Sequence, residues 1–253
     1  MILLLGGTLE GREIAGALAG RGLQVLVTVA SDYGAEMLPP DLPVEVLIGR
    51  LDAAALDRLL TERKIRLIVD ATHPYARVIT ETAWEVSRNK KIPFIRYQRP
   101  PAAEGAGGDR IYRVNSYEEG AELVMGLGER IFLTIGSRNL APFVKAARQA
   151  GRRIVARVLP DARVLEECAA MGMAPQDIIA IQGPFSLEMN LAMLREYGAD
   201  VLVTKDSGTT GGADKKLEAA AALGIPAVIV ARPDYRGIPV TDSIEQILHK
   251  VKS

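Results

Sequence analysis

The stretch MILLLGGTLEGR, residues 1–12, decides the fold. Its apolar run, Ile2–Leu5, leads straight into Gly6 and Gly7, and a helical pattern starts near Gly11. A continuous Ile/Leu run is typical of a strand that is covered on both faces of a parallel sheet. The stretch therefore predicts a strand, a glycine turn and a helix, which is the opening unit of an α/β fold.

The same alternation of strand and helix continues along the chain. Strand–helix repetition predicts parallel, right-handed, doubly wound sheets. The predicted strands are 2–5, 24–29, 44–47, 66–69, 93–95, 111–114, 131–135, 154–158, 178–181, 201–204 and 227–231. The predicted helices include 11–21, 53–63, 76–90, 116–127, 212–223 and 241–252, the last capped by Thr241 or Asp242 and able to pack on either half.

A break in this pattern at QRPPAAEGAGGD, residues 98–109, marks the domain boundary. Pro-Pro disfavours a helix, and the Gly/Ala stretch has no periodicity. We therefore predict an α/β protein of two domains, each with a doubly wound parallel sheet. The first domain spans 1–98, a linker spans 99–109, and the second domain spans 110–253.

Composition limits the classes of function. The 253 residues are 48% hydrophobic and 25% charged, which excludes wholesale disorder. The 31 basic and 31 acidic residues cancel, and neither half is basic, so nucleic acid is not the expected partner. Cys168 is the only cysteine, and no paired-histidine motif occurs, so we predict no metal site. The short apolar run at the N-terminus predicts neither a signal peptide nor a membrane span, and we expect a cytoplasmic protein without a membrane partner. The oligomeric state is not indicated.

The glycine turn is the first candidate binding site. Gly6, Gly7 and Thr8 stand between the first strand and its helix, where the backbone can approach a phosphate. The turn lacks the G-x-G-x-x-G fingerprint, and Arg12 stands where a P-loop needs lysine, so ATP hydrolysis is not expected. A tight turn without a ligand is the alternative.

The ends of the second and third strands bear on the choice of nucleotide. Ser31 is a donor suited to the 2′-phosphate of NADP, whereas Asp32 suits free ribose hydroxyls, so NADPH and NADH both stay open. A turn or helix cap is the alternative for Asp32. Arg50 follows the third strand in the expected switch region, where it could meet a phosphate or a carboxylate, or simply lie in solvent.

The fourth strand runs into DATHPYA, residues 70–76. Thr72 and His73 lie in this polar loop at a carboxyl strand end, where cofactor and substrate usually bind. Pro74 suits the first position of the next helix. The alternative is a capping turn with a buried imidazole.

The second half repeats this design. Loops IGSRNL, QGPFS and TKDSGTTGG follow predicted strands, and a lysine at such a position can hold an anion or donate a proton. The candidate donors are Ser137, Arg138, Lys205, Ser207 and Lys215. A flexible, solvated loop is the alternative for Lys205.

The set GGTLEGR, GRLD, DATHPYA, IGSRNL, QGPFS and TKDSG, in this order over nearly the whole chain, resembles the precorrin-6A reductase family of corrin biosynthesis. The resemblance implies two Rossmann-like domains with an active site in the cleft between them. It also implies reduction of one macrocycle double bond by NADPH or NADH, with NADPH preferred, giving precorrin-6B or its cobalt form. Short-chain dehydrogenases and α/β-hydrolases are not supported, because Tyr-x-x-x-Lys and G-x-S-x-G are absent.

The candidate residues agree with this implied activity, with 1–98 as the nucleotide-binding domain and 110–253 as the substrate domain. The cofactor would be held by Gly6, Gly7, Thr8, Ser31, Thr72 and His73, and the acidic arms of the tetrapyrrole-derived macrocycle would be held by Arg50, Ser137, Arg138, Lys205, Ser207 and Lys215. Lys205 and His73 are the candidate catalytic residues. Two other functions stay open: a non-catalytic two-lobed protein that binds an anionic ligand, and a nucleotide-dependent transferase.

Overall fold

The computed structural model describes residues 1–99, 110–208 and 211–251. Its contacts divide the chain into two compact units. The first unit combines Met1–Pro100 with Pro233–Ser253, and the second is Pro101–Arg232.

The elements alternate between strand and helix as the sequence predicts. The strands are β1 (Ile2–Leu5), β2 (Val25–Val29), β3 (Glu45–Ile48), β4 (Leu67–Asp70), β5 (Phe94–Tyr97), β6 (Ile111–Val114), β7 (Arg130–Leu133), β8 (Arg153–Val158), β9 (Ile178–Ala180), β10 (Val201–Lys205), β11 (Ala227–Val230) and β12 (Val240–Thr241). The helices are α1 (Leu9–Ala19), α2 (Asp32–Glu36), α3 (Ala53–Glu62), α4 (Arg77–Asn89), α5 (Tyr117–Val124), α6 (Ala141–Ala150), α7 (Ala162–Ala170), α8 (Leu187–Glu196), α9 (Ala213–Ala222) and α10 (Ile244–Lys250).

The first unit is built on a parallel six-stranded sheet of order β3-β2-β1-β4-β5-β12. Alternate residues of β1 point to opposite faces of this sheet, so each face has its own core. Ile2 and Leu4 pack with residues of α1 and α10, whereas Leu3 and Leu5 pack with residues of α3 and α4. Helices on both faces explain why β1 is apolar throughout.

The second unit repeats the plan with a parallel six-stranded sheet of order β9-β8-β7-β10-β11-β6. One face packs against α5, α6 and α7 through residues such as Val124, Phe143 and Cys168. The other face packs against α8 and α9 through Leu194 and Leu217. Both units are therefore doubly wound α/β sheets.

The C-terminal segment departs from the predicted domain division. Residues 233–253 fall in the first unit rather than in the domain 110–253. The reason is that β12 adds to the edge of the first sheet, where Val240 pairs with Arg96 and Thr241 pairs with Tyr97. The first sheet therefore takes its outermost strand, β12, from beyond the second unit's sequence, whereas β6 lies within the second unit's own sequence.

Two further predictions need correction. The terminal helix starts at Ile244, and its N-cap is Ser243 rather than the predicted Thr241 or Asp242. Thr241 belongs to β12. Within the predicted linker 99–109, Arg99 forms an ion pair with Glu10 of α1 at 2.7 Å, and it therefore belongs to the first unit. Residues 100–109 lie outside the described part of the chain.

Within the described ranges, no helix is both long enough and apolar enough to cross a bilayer. Nor do three or more His, Cys, Asp or Glu side chains of those ranges come together as a set of metal ligands.

Candidate functional site

The turn after β1 is shaped by two glycines with different environments. A Cβ on Gly6 would lie 3.1 Å from Val27 Cγ1 of β2, so a side chain there would press against the neighbouring strand. Gly7 has a φ of +101°, which favours glycine, and a Cβ there would meet nothing within 4 Å. Gly6 thus permits close packing, and Gly7 presents open backbone.

Thr8 joins this turn to the loop after β4. Its Oγ1 accepts a hydrogen bond from Gly11 N–H at 3.0 Å as the N-cap of α1 and donates to Ala71 O at 2.7 Å. A Cβ on Gly11 would lie 3.4 Å from Gly6 Cα, so Gly11 allows the helix to approach the turn. Gly6, Thr8 and Gly11 therefore occupy the spacing of G-x-G-x-x-G with threonine in the middle. The sequence analysis missed this match because it required the second glycine.

These two loops meet at the switch point of the first sheet. Strand order reverses between β1 and β4, and ligands of open α/β sheets bind beyond the carboxyl ends of such strands. Gly6, Gly7, Thr8, Thr72 and His73 follow these two strands. The structure therefore brings five of the predicted cofactor residues to one edge of the first sheet.

The loop after β4 is held by its own aspartate. Asp70 Oδ1 accepts hydrogen bonds from Thr72 N–H at 2.9 Å and from Thr72 Oγ1 at 2.7 Å. His73 Nδ1 accepts from Tyr75 N–H at 3.2 Å, so the neutral ring carries its proton on Nε2. Pro74 does not start the next helix, because α4 begins at Arg77 after a turn.

A buried arginine that the sequence analysis did not single out organises this loop. Arg96 is fully buried, forms an ion pair with Asp70, and donates to Thr80 Oγ1 at 2.8 Å and to His73 O at 3.3 Å. Its guanidinium stacks 4.3 Å from the ring centre of Tyr235. We call Asp70, Arg96 and Tyr235 the buried triad.

Tyr235 closes the triad from the C-terminal segment. Its hydroxyl donates to Pro74 O at 2.7 Å. Burial raises the pKa of Tyr235, which keeps the hydroxyl protonated as a donor. The DATHPYA loop is therefore fixed by residues of β4, β5 and the segment before β12.

The remaining first-unit candidates lie further along the same sheet. Ser31 is the N-cap of α2, exposed, and its Oγ accepts from Gly34 N–H at 3.4 Å, while Asp32 is the first residue of that helix. Arg50 is exposed and follows the edge strand β3, so it does not lie at the switch point. Gly49 N–H donates to Val29 O at 2.9 Å, which places Arg50 beside the turn that carries Ser31.

The switch point of the second sheet lies between β7 and β10. The loops that follow these strands approach each other, because a Cβ on Gly136 would lie 3.8 Å from Lys205 Nζ. Burial, with the charge of Arg138, lowers the pKa of Lys205 to about 8. Ser137 is half-buried and Arg138 is exposed in the single 3₁₀ turn of the first loop.

The residues after Lys205 are tied back to the protein. Asp206 is buried and accepts from Arg232, whose Nε lies 2.8 Å from Asp206 O. Ser207 is buried and its Oγ donates to Gly211 O at 3.2 Å. The described part of this loop is therefore held in place, unlike the flexible, solvated loop that the sequence left open as an alternative. Thr209 and Thr210 lie outside the described residues.

Lys215 and Lys216 of α9 have opposite environments. Lys215 is exposed and forms an ion pair with Glu218 at 2.8 Å, which raises the pKa of Lys215. Lys216 is buried, and its Nζ donates to Thr204 Oγ1 at 3.4 Å. The structure thus places Lys216, rather than the predicted Lys215, against the sheet.

Arg157 is a further cation that the sequence analysis missed. It lies near the end of β8, donates to Asn190 Oδ1 at 3.0 Å, and stacks 4.8 Å from the ring centre of Phe185. Burial lowers the pKa of Arg157 to about 10.

Comparison of the sequence with known proteins shows which family this chain is similar to. The family model described as Precorrin-6x reductase CbiJ/CobK matches residues 1–252. A cobalt-precorrin-6A reductase of Priestia megaterium is 38% identical over 250 residues, covering 98% of this chain and 97% of the relative. A precorrin-6A reductase of Rhodococcus erythropolis is 35% identical over 250 residues, covering 97% of this chain and 94% of the relative.

A solved structure supports the fold independently. The CobK precorrin-6A reductase structure matches with a TM-score of 0.78 at 23% identity, covering 99% of this chain and 96% of that chain. The family match spans both units and every loop described above, so the chain belongs to the precorrin-6x reductase family.

Proposed function

We propose that this chain reduces one double bond of a precorrin-6A macrocycle, with or without cobalt, using NADPH bound to the first unit. The observation that carries the proposal is the meeting of the glycine turn and the DATHPYA loop at the switch point of a Rossmann-ordered sheet. Relatives of both names, cobalt-precorrin-6A and precorrin-6A reductase, match almost the full chain. Family membership favours a reductase over a transferase or a passive binding protein.

The turn fits the pyrophosphate of a dinucleotide. Gly7 leaves its outer side open, and the N-terminus of α1 attracts an anion. Glu10 in the first turn of α1 would repel an anion, but its ion pair with Arg99 at 2.7 Å offsets that charge. Gly6, Gly7 and Thr8 are therefore proposed to hold the pyrophosphate.

Arg50 supports NADPH over NADH. An arginine near the ribose accommodates a 2′-phosphate in NADP enzymes, and Arg50 stands beside the Ser31 turn at the expected position. We therefore assign Arg50 to the cofactor phosphate rather than to the macrocycle. Ser31 can still donate its hydroxyl proton while accepting from Gly34 N–H.

The chemistry divides between the cofactor and the chain. The nicotinamide supplies the hydride when bound. His73, with its proton on Nε2, can donate a hydrogen bond to a carbonyl or phosphate oxygen at the switch point. Lys205, in the second unit, holds a carboxylate of the acidic substrate or supplies the proton that completes the reduction.

Matched glycine variants test the cofactor site. Gly7 and Gly22 flank α1, both have positive φ, and neither would bring a Cβ within 4 Å of another atom. Gly7→Ala and Gly22→Ala should therefore lose similar stability, but only Gly7→Ala should weaken NADPH binding, by at least about tenfold or 1.4 kcal/mol. Equal NADPH affinity in the two variants, measured by fluorescence titration, would remove this turn from the site.

Cofactor choice is tested at Arg50. Arg50→Met should weaken NADPH binding by about tenfold or more and leave NADH binding unchanged, because NADH lacks the 2′-phosphate. Arg58→Met on the exposed side of α3 is the control. Ser31→Ala should also weaken NADPH binding more than NADH binding, but by a smaller factor. Asp32→Asn should strengthen NADPH binding, because it removes a negative charge near the proposed 2′-phosphate position. Equal changes for both cofactors would contradict the assignment.

A further inference from the structure

The backbone of the DATHPYA loop is held at four carbonyl oxygens by side chains from other parts of the first unit. The hydrogen bonds run from Thr8 Oγ1 to Ala71 O at 2.7 Å, from Arg96 Nη2 to His73 O at 3.3 Å, from Tyr235 Oη to Pro74 O at 2.7 Å and from Thr80 Oγ1 to Ala76 O at 3.1 Å. The donors belong to the glycine turn, β5, the segment before β12 and α4. The path of this loop is therefore set by four separate segments of the chain.

The side chain of His73 has its direction set by this backbone. His73 is half-buried beyond the carboxyl end of β4, whereas the next residue, Pro74, is buried. The imidazole Nδ1 accepts a hydrogen bond from Tyr75 N–H at 3.2 Å, so the ring is tied to the main chain two residues further on. A shift of the backbone at residues 73–75 would therefore move the imidazole as well.

Tyr235 makes a contact with this backbone that packing alone does not require. Its ring is buried and stacks on Arg96 at 4.3 Å, and a phenylalanine ring would fill the same space. The hydroxyl adds the hydrogen bond to Pro74 O, directly after His73. Because proline has no N–H, the carbonyl is the group through which a hydrogen bond can hold the backbone of Pro74.

We propose that Tyr235 is a positioning residue, whose hydroxyl fixes the backbone at Pro74 and thereby sets where the His73 imidazole meets the bound dinucleotide. The inference rests on the proposed function, because His73 is assigned there to the cofactor site. A group that binds a reacting ligand has to be held within a fraction of an ångström, and hydrogen bonds from neighbouring residues supply that support. The competing explanation is that the hydroxyl of Tyr235 only stabilises the fold.

A double-mutant cycle separates these explanations. NADPH affinity is measured by fluorescence titration for the wild type, His73→Ala, Tyr235→Phe and the double variant. We expect each single variant to weaken NADPH binding about tenfold, through loss of the imidazole contact or through its displacement. The double variant should also be only about tenfold weaker than the wild type, because without the imidazole Tyr235 has nothing left to position.

A variant with a similar loss of stability at another place in the first unit is the control. Ser243 is the N-cap of α10, and its Oγ accepts a hydrogen bond from Gln246 N–H at 3.4 Å. Ser243→Ala and Tyr235→Phe should lower the Tm by similar amounts, since each removes one hydrogen bond. Ser243→Ala should nevertheless keep NADPH affinity within about twofold of the wild type. An equal loss of affinity in both variants would mean that stability alone explains the effect, and would overturn the proposal.

Three other outcomes would also overturn it. A double variant that is about 100-fold weaker than the wild type would show that the two residues act independently. Unchanged NADPH affinity in Tyr235→Phe would show that the hydroxyl does not position the site. Unchanged affinity in His73→Ala would remove His73 from the cofactor site and leave Tyr235 with nothing to position there.

Turnover with precorrin-6A adds a readout that distinguishes this inference from the proposed function. In an active enzyme, Tyr235→Phe should raise KM for NADPH and leave KM for the macrocycle unchanged. The opposite pattern would assign the loop to the macrocycle and overturn the proposal. A wild-type protein that binds NADPH but does not oxidise it with precorrin-6A would contradict the proposed function, while the affinity cycle would still decide the role of Tyr235.

Discussion

Arg96 in the first unit and Lys216 in the second are both buried cations close to loops at the carboxyl ends of central strands, but their surroundings differ. Arg96 is paired with Asp70 and stacked on Tyr235, and its hydrogen bonds hold the DATHPYA loop. Lys216 has a hydroxyl partner, Thr204, and cationic neighbours. The first unit pairs its buried cation with a carboxylate, whereas the buried lysine of the second unit lies against a hydroxyl group.

This difference indicates that Arg96 and Lys216 have different roles. A neutralised pair offers nothing to a ligand and acts as a cross-link between β4, β5 and the loop. A buried lysine that lies against a hydroxyl group is costly to charge, and burial lowers the pKa of Lys216 to about 7. Replacing a cation by methionine should therefore have opposite consequences in the two units.

The largest effect is expected from Arg96→Met. Removing one partner leaves Asp70 buried without its counter-charge, which costs about 3–5 kcal/mol of unfolding free energy. Urea unfolding followed by circular dichroism measures this loss. The double variant Arg96→Met/Asp70→Leu should be more stable than the single variant, because no charge is then stranded; a double variant that is less stable would contradict the pairing.

A smaller effect, and one on binding rather than stability, is expected from Lys205→Met. Loss of a clamp that holds ground and transition states equally raises KM and spares kcat. We expect KM for the macrocycle to rise at least about tenfold, equal to 1.4 kcal/mol, with stability retained. Steady-state kinetics with the authentic macrocycle decide the role.

The other outcomes at Lys205 are also informative. A fall of about 10²–10⁴-fold in kcat would identify Lys205 as the general acid. Unchanged kcat and KM would remove the loop after β10 from the substrate site.

The smallest effect is expected from Tyr235→Phe. The ring that stacks on Arg96 remains, and only the hydrogen bond to Pro74 O is lost, so the unfolding free energy should fall by about 1 kcal/mol. Tyr112→Phe, at a partly exposed tyrosine of β6, is the control. A Tyr235→Phe protein as stable as this control would show that the hydroxyl does not secure the loop.

Much of this comparison was accessible from the sequence. The apolar runs mark the central strands correctly, because strands covered on both faces need no polar alternation. The loops after β1, β4, β7 and β10 are also located correctly, since carboxyl strand ends follow from strand positions alone. What the sequence does not supply is the neighbour of each strand. The pairing of Asp70 with Arg96 across β4 and β5 depends on sheet order.

Two errors of the sequence-based predictions, at β12 and at Lys215, have specific physical causes. The two-residue strand β12 follows Pro239 and has no apolar run, so only the free edge of β5 reveals its place. The choice of Lys215 over Lys216 ignored helical phase, because Lys216 shares the buried face of α9 with Ala213, Leu217 and Ala220. Spacings of three and four residues put these positions on one face, so this signal was present in the sequence.

The late position of β12 in the sequence affects how the first unit folds during synthesis. The first unit has its glycine turn and DATHPYA loop translated early, but Tyr235 and β12 emerge only after the whole second unit. At about 5–20 residues per second, the partner of β5 arrives on the order of 10 s after β5 itself. During that interval the edge of β5 and the charge pair of Asp70 and Arg96 lack their final cover. The first unit to be synthesised is therefore the last to be completed, and the edge of β5 is open to chaperones that shield exposed strands until β12 arrives.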